Sequence, residues 1–263
     1  MGVKMSDNEI TWEVPVETVP LPTNGKIYSP ESFFYNKETV DIKTMTAREE
    51  DILSSQAYIK KGVVLNELIK SCLMDKDVDP NELTLGDRTA LTMAIRITGY
   101  GSEYHVNLTC MHCGAKNEEK IDLSNLPIKS LQIEPIEQGK NLFKYELPVS
   151  KKKVIFKFLT GKEELERNQN ITSMQQLYGE NFLGNVTKNI ETHIVSIDGV
   201  QKRSEINKFI SIMPAFDSKS LRNFIKKSEP GMDTNIKFKC TSCSSESEVD
   251  LPITTNFFWP TLE

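Results

Sequence analysis

Apolar and polar positions alternate in two short stretches that nearly copy one another. Tyr104-His-Val-Asn-Leu-Thr leads into Cys110-Met-His-Cys113-Gly114, and Asn235-Ile-Lys-Phe-Lys leads into Cys240-Thr-Ser-Cys243-Ser244. Alternation with a period of two predicts strands. Polar residues follow each cysteine pair, and then a second strand-like run appears: Ile121-Asp-Leu123 before Leu126-Pro127, and Val249-Asp-Leu251-Pro252. The chain therefore spells strand, knuckle, strand twice. A small residue after the second cysteine lets each knuckle turn.

Elsewhere the spacing is helical. Thr46-Ala-Arg-Glu49 is a capping box, in which the threonine oxygen and the glutamate carboxylate each serve the other's backbone. It predicts a helix near residues 50–57. Gly62 interrupts, and residues 63–73 predict a second helix. Thr84-Leu-Gly-Asp87 opens a third, which passes through Leu91, Ala94, Ile95 and Ile97 and is ended by Gly99-Tyr-Gly101. Residues 143–147 and 154–159 alternate as strands, with a turn at 149–152. Further helices are predicted near 163–169, 172–178 and 182–191. A hairpin over 193–197 follows, closed by Asp198-Gly199. Then come a helix over 204–213 stopped by Pro214 and a last one over 221–227, capped by Asp217 or Ser218.

These elements describe an α+β protein. An extended arm, punctuated by Pro15, Pro20, Pro22 and Pro30, covers residues 1–45, and removing residues 1–20 is expected to leave the fold intact. A small helical bundle covers 46–100. The first half of a split ribbon, with strands, covers 101–160, and a mostly helical insertion covers 161–233. The second ribbon half and an aromatic tail, Asn256-Phe-Phe-Trp-Pro260, cover 234–263; the tail is expected to pack on the core, with a contact patch as the alternative.

Cysteine usage adds chemistry. Cys110, Cys113, Cys240 and Cys243 supply the ligand set of a structural zinc site, and four thiolates leave no open position for water or substrate. More than a hundred residues separate the pairs, far more than the roughly 15–20 of a compact four-cysteine finger. The pairing rests on the matched flanks. Two redox pairs or two disulfides are the alternatives. Redox pairs usually open a helix, where the dipole lowers the thiol pKa, and here the surroundings are strand-like. Stabilising disulfides belong to oxidising compartments, and the polar start Met1-Gly-Val-Lys-Met-Ser-Asp reads as no signal peptide. The fifth cysteine, Cys72, falls in an apolar helical pattern and reads as a buried small hydrophobe.

Charge and composition narrow the function. The chain has 263 residues, 38% of them hydrophobic, and a net charge of −5, which argues against a nucleic-acid binder. No apolar run approaches the roughly 18 residues of a membrane span, so a soluble, intracellular protein is expected, with no membrane partner. The acidic turn Asp75-Lys-Asp77-Val-Asp79-Pro lacks the glycine and the bidentate glutamate of a calcium loop. None of the three histidines, His105, His112 and His193, stands in a nucleophile pattern, although His112 lies inside the first knuckle. No glycine-rich phosphate loop appears. The residues thus point to a non-enzymatic protein without a small-molecule substrate. A regulatory or nucleic-acid-associated zinc ribbon is the alternative class.

Several strings together carry a resemblance. They are Leu21-Pro-Thr-Asn-Gly-Lys-Ile-Tyr28, Thr44-Met-Thr-Ala-Arg-Glu-Glu-Asp-Ile-Leu53, Leu83-Thr-Leu-Gly-Asp-Arg88, the two cysteine pairs and Ile253-Thr-Thr-Asn-Phe-Phe-Trp-Pro260. The chain resembles the baseplate hub proteins of T-even-type contractile-tailed bacteriophages, from about residue 21 to the end. That resemblance implies a hub component or an assembly chaperone acting during tail morphogenesis. Its partners would be other baseplate hub or tape-measure proteins in an oligomeric assembly. It would be found in the host cytoplasm during assembly and in the virion tail baseplate. No catalytic positions come with the resemblance.

Overall fold

The computed structural model describes residues 14–178, 185–251, 253 and 255–258. Strand β1 (Val16–Pro20) pairs antiparallel with β2 (Thr39–Lys43), with Val19 opposite Val40. The long connection turns through Asn24 and Gly25, both at positive φ. A Cβ on Gly25 would lie 2.5 Å from the Phe34 carbonyl oxygen, so glycine is required there. Val19, Leu21, Tyr28, Phe34, Val40 and Ile42 join the same core as the helices that follow. The described part of the segment read as an arm, residues 14–45, lies on its own protein. Removing residues 1–20 would take β1 and Val19 out of that core, which reverses the expectation that the truncation is harmless.

Helices α1 (Ala47–Ser54), α2 (Gln56–Lys61), α3 (Val64–Cys72) and α4 (Leu85–Tyr100) follow. The Glu49 carboxylate reaches back to the Thr46 N–H at 2.9 Å and also accepts from the Thr46 hydroxyl. Gly62, at φ 71°, separates α2 from α3. Cys72 is buried, and desolvation pushes its thiol up to about 12, so it packs as an inert hydrophobe.

Two strings of the resemblance, Leu21–Tyr28 and Leu83–Arg88, meet in space. Asp87, fully buried on α4, accepts from the Thr23 N–H at 3.0 Å, the Thr23 hydroxyl at 2.5 Å and the Tyr28 hydroxyl at 2.5 Å. One helical carboxylate thereby fastens the N-terminal turn. Beside it, a Cβ on Gly86 would lie 1.8 Å from the Pro230 carbonyl oxygen, which explains the glycine. Strand β9 (Gly231–Met232) thus runs against α4, and it pairs with the short β5 (Ile128–Lys129).

Two hairpins project from this body: β3 (Glu103–Thr109) with β4 (Lys116–Asp122), and β10 (Asn235–Lys239) with β11 (Glu246–Asp250). Arg96, fully buried, binds their base. It donates to the carbonyl oxygens of Phe257 at 2.9 Å, Gly101 at 2.6 Å and Glu103 at 3.0 Å. Phe257 and Phe258 are buried, and the Phe257 ring meets Tyr104 edge-on at 5.0 Å. The aromatic tail packs inward there; Trp259 and Pro260 lie outside the described residues.

The segment between the hairpins builds a second core, to which the N-terminal turn adds Ile27. Strands β6 (Phe143–Glu146), β7 (Lys153–Phe156) and β8 (Ile194–Ile197) form an antiparallel sheet in that order. Helices α5 (Gly161–Tyr178), α6 (Asn185–His193), α7 (Arg203–Ile212) and α8 (Ala215–Ser228) accompany it. Four details differ from the sequence reading. The helices expected near 163–169 and 172–178 are one, because no residue between them breaks the backbone ladder. Phe182, where a further helix was expected to start, lies outside the described residues, and α6 runs from Asn185. The strand over 194–197 takes β7 as its main partner, although Asp198 and Gly199 make the expected positive-φ turn. Helix α8 begins at Ala215, six residues early, and Asp217 serves the β6–β7 turn by accepting from the Val149 and Ser150 N–H groups at 2.7 and 3.0 Å.

The result is a mixed α/β protein with eight α-helices and small antiparallel sheets among the described residues.

Candidate metal centre

The two knuckles face one another, and every position in one has its counterpart 130 residues later in the other. Thr109 pairs with Lys116, and Lys239 with Glu246. The Cys110 N–H donates to the Ala115 carbonyl at 2.9 Å, and the Cys240 N–H to that of Ser245 at 2.9 Å. The Gly114 and Ser244 N–H groups return to the Cys110 and Cys240 carbonyls, also at 2.9 Å. Gly114 and Ser244 hold φ of 74° and 59°, so the left-handed turn is made once by glycine and once by serine, which bears the steric cost of its Cβ.

This geometry collects all four cysteines named from the sequence. Their sulfurs lie within 4.8 Å of one another. Cys110 Sγ is 3.7 Å from Cys243 Sγ, and Cys113 Sγ is 3.7 Å from Cys240 Sγ. Each thiol is free, and both of these contacts run between knuckles. A tetrahedron with metal–sulfur bonds of about 2.3 Å has sulfur–sulfur edges of about 3.8 Å. The donor set therefore fits a tetrahedral, thiophilic divalent ion. Cys110 and Cys240 are buried, while Cys113 and Cys243 face the surface.

The electrostatics favour thiolates at the inner pair. The Ser247 hydroxyl, then the Cys113 and His112 N–H groups, hold the Cys110 thiol down at about 5. The Cys243 N–H lowers Cys240 against the cost of its burial, helped by the Ser242 N–H and Asn117. Cys113 is the opposite case. The Ala115 N–H lowers it, but hydrogen bonding to the Cys243, Cys240 and Cys110 sulfurs, together with desolvation, carries it up to about 12. Sulfurs this close resist sharing four negative charges unless a cation stands among them, and a coordinated thiol is deprotonated outright.

The three histidines lie outside this cluster. His112 contributes its backbone N–H, 3.4 Å from Cys110 Sγ, and its ring is not among the grouped donors. His105 pairs with Glu103 on the exposed face of β3 at 2.8 Å. His193 is buried, its Nδ1 2.9 Å from the Lys157 carbonyl oxygen, and desolvation lowers its pKa. Among the described residues the four cysteines are the only such group of potential metal ligands, and the acidic turn at Asp75–Asp79 forms none.

Sequence reasoning missed Asn117 and Ser247. Each is the fourth residue after the second cysteine of its knuckle, so the 130-residue offset could have found them. Both point inward from the second strand of their hairpin and are buried.

A protein-family model described as T4 bacteriophage base plate protein matches residues 16–259. No curated protein and no solved structure matches the chain.

Proposed function

The chain belongs to the T4 bacteriophage base plate protein family, and we propose that it is a non-catalytic component or assembly chaperone of the baseplate hub. The family match over nearly the whole chain carries the baseplate part of this reading. The resemblance of the Thr23–Tyr28 turn and the Gly86–Asp87 pair to hub proteins supports the assignment to the hub. Thr23 and Tyr28 are hydrogen-bonded to Asp87, so two of the strings that resemble the hub proteins interlock.

The four cysteines hold a structural zinc in this reading. Zinc suits a closed tetrahedral sulfur set, and such a site contributes folding energy with no position left for a substrate. Its role would be to join two hairpins that the sequence keeps far apart. Other hub proteins or the tape-measure protein would be its neighbours. Ile212 and Phe216, 78% and 62% exposed at the α7–α8 junction, supply apolar surface for such contacts. No helix among the described residues is long and apolar enough to cross a membrane.

Quantitative mass spectrometry of mature virions beside hub intermediates captured from infected cells tests the role. Stoichiometric presence in both identifies a hub subunit, and presence in intermediates alone identifies a chaperone. Absence from both overturns the proposal.

A further inference from the structure

The metal reading leaves open how two hairpins so distant in sequence present four sulfurs in register. Asn117 rises from β4, in the first hairpin, yet three of its four contacts cross to the second. Its Oδ1 accepts from the Thr241 N–H at 2.8 Å and the Thr241 hydroxyl at 2.9 Å. A backbone N–H can only donate, so the oxygen must face Thr241 and the amide nitrogen must face the other way. That nitrogen donates to Cys240 Sγ at 3.6 Å and to the Ala115 carbonyl at 3.1 Å. Ser247 does the converse from β11. Its Oγ accepts from the Met111 N–H at 3.4 Å and lies 3.4 Å from Cys110 Sγ. With the oxygen accepting from Met111, the hydroxyl proton is left for the sulfur.

We propose that Asn117 and Ser247 are a crossed pair of positioning residues, each carried by one hairpin and hydrogen-bonded to the first cysteine of the other. The inference rests on the reading of the cysteines as a metal site. The two side chains do what the metal alone cannot. They dock the hairpins before any ion enters, and they place a donor on the two buried thiolates, Cys110 and Cys240, which water reaches least. Donors to sulfur spread the excess negative charge of a four-thiolate site, and outer partners of this kind orient metal ligands. The pair is unequal. Asn117 makes four contacts, two of them short, whereas both Ser247 contacts are long.

The test is competition between the full-length protein and a chromophoric chelator for Zn²⁺, repeated with Co²⁺, whose thiolate charge-transfer absorption reports the sulfur environment. Asn117→Ala and Ser247→Ala are expected to weaken zinc binding by about 10–100-fold, Asn117→Ala more, with a shifted Co²⁺ band in each. Ser247→Thr keeps the hydroxyl and is expected to recover the wild-type band. If Asn117→Ala fails to fold, the Ser247 pair decides the question alone. Wild-type binding with both alanine variants within twofold of it overturns the crossed pair and leaves the metal site standing. A wild-type protein that takes up neither ion overturns the metal reading and this inference with it.

Discussion

Around Phe156 the insertion buries ring against ring. Phe143, Phe158 and Phe224 lie 5.5, 5.9 and 5.8 Å from it, and Ile190, Ile194, Ile206 and Leu221 close the space. Around Cys110 the hairpins bury Val106, Leu108 and Phe238 against the same core as the helices, and the knuckle tips expose Met111 and His112. The insertion carries its own hydrophobic driving force. The hairpins carry less of it at their cysteine end, where the four sulfurs gather. The comparison teaches that one chain can stabilise two regions by separate means, so each should fail separately.

The largest break should come from the sulfurs. Cys110→Ser and Cys240→Ser are each expected to cost several kcal/mol, because structural zinc binding contributes about 10 kcal/mol or more. Denaturant unfolding with hydrogen exchange should show equal losses in both variants, with the hairpins opened and the β6–β8 sheet still protected. Normal stability in either variant removes the shared site. The converse change, Phe156→Ala, should cost about 3–5 kcal/mol while zinc content, measured by mass spectrometry, stays at its wild-type level.

A third change probes the seam between the N-terminal turn and α4. Asp87→Ala leaves the Thr23 N–H and the Tyr28 hydroxyl buried without an acceptor and should cost about 2–4 kcal/mol, read as a lower urea midpoint. The carboxyl is also a pH handle. Burial raises it to about 6 against the hydrogen bonds from Thr23 and Tyr28. A folded pKa above the unfolded one means that its contribution is full below about pH 4 and declines as pH rises through about 6. Glu49 has the opposite sign. Burial opposes it, but hydrogen bonds from Lys43, Ser71 and Thr46 hold it down at about 2, so its contribution is present above about pH 4.5 and lost as pH falls toward 2. Glu49→Gln should flatten the acid limb of a stability–pH curve, and Asp87→Asn the limb between about pH 4 and 6.

The smallest effect compares the hairpins with each other. Ser244→Gly relieves the strained turn and should change stability by no more than about 1 kcal/mol, whereas Gly114→Ser at the matching position should tolerate the same turn at a similar cost. Equal and opposite shifts in melting temperature would confirm that the knuckles are interchangeable.

The hairpins were legible because their signal is local: alternation before each cysteine pair, a turn residue after it, and the same order twice. The capping box at Thr46 and the stop at Gly101 were legible for the same reason. What escaped notice depends on distant partners. Asp198-Gly199 announces a turn, but the free edge of β7 decides that β8 pairs there, and that edge lies some forty residues earlier. Asp217 carries a capping side chain, yet the helix starts before it and the carboxylate turns to the Val149–Ser150 backbone. Asn117 and Ser247 look like ordinary polar strand residues until the second hairpin stands against the first. The prolines of the first 45 residues read as an extended arm without showing which surface it lies on, because Asp87, which fastens that segment, is 64 residues away from Thr23.

Metal analysis of full-length protein, purified without added zinc and without chelator, tests the central claim most directly. The account predicts one zinc per chain, released in step with loss of hairpin protection when a chelator is added. Folded protein with no zinc and protected hairpins would contradict it.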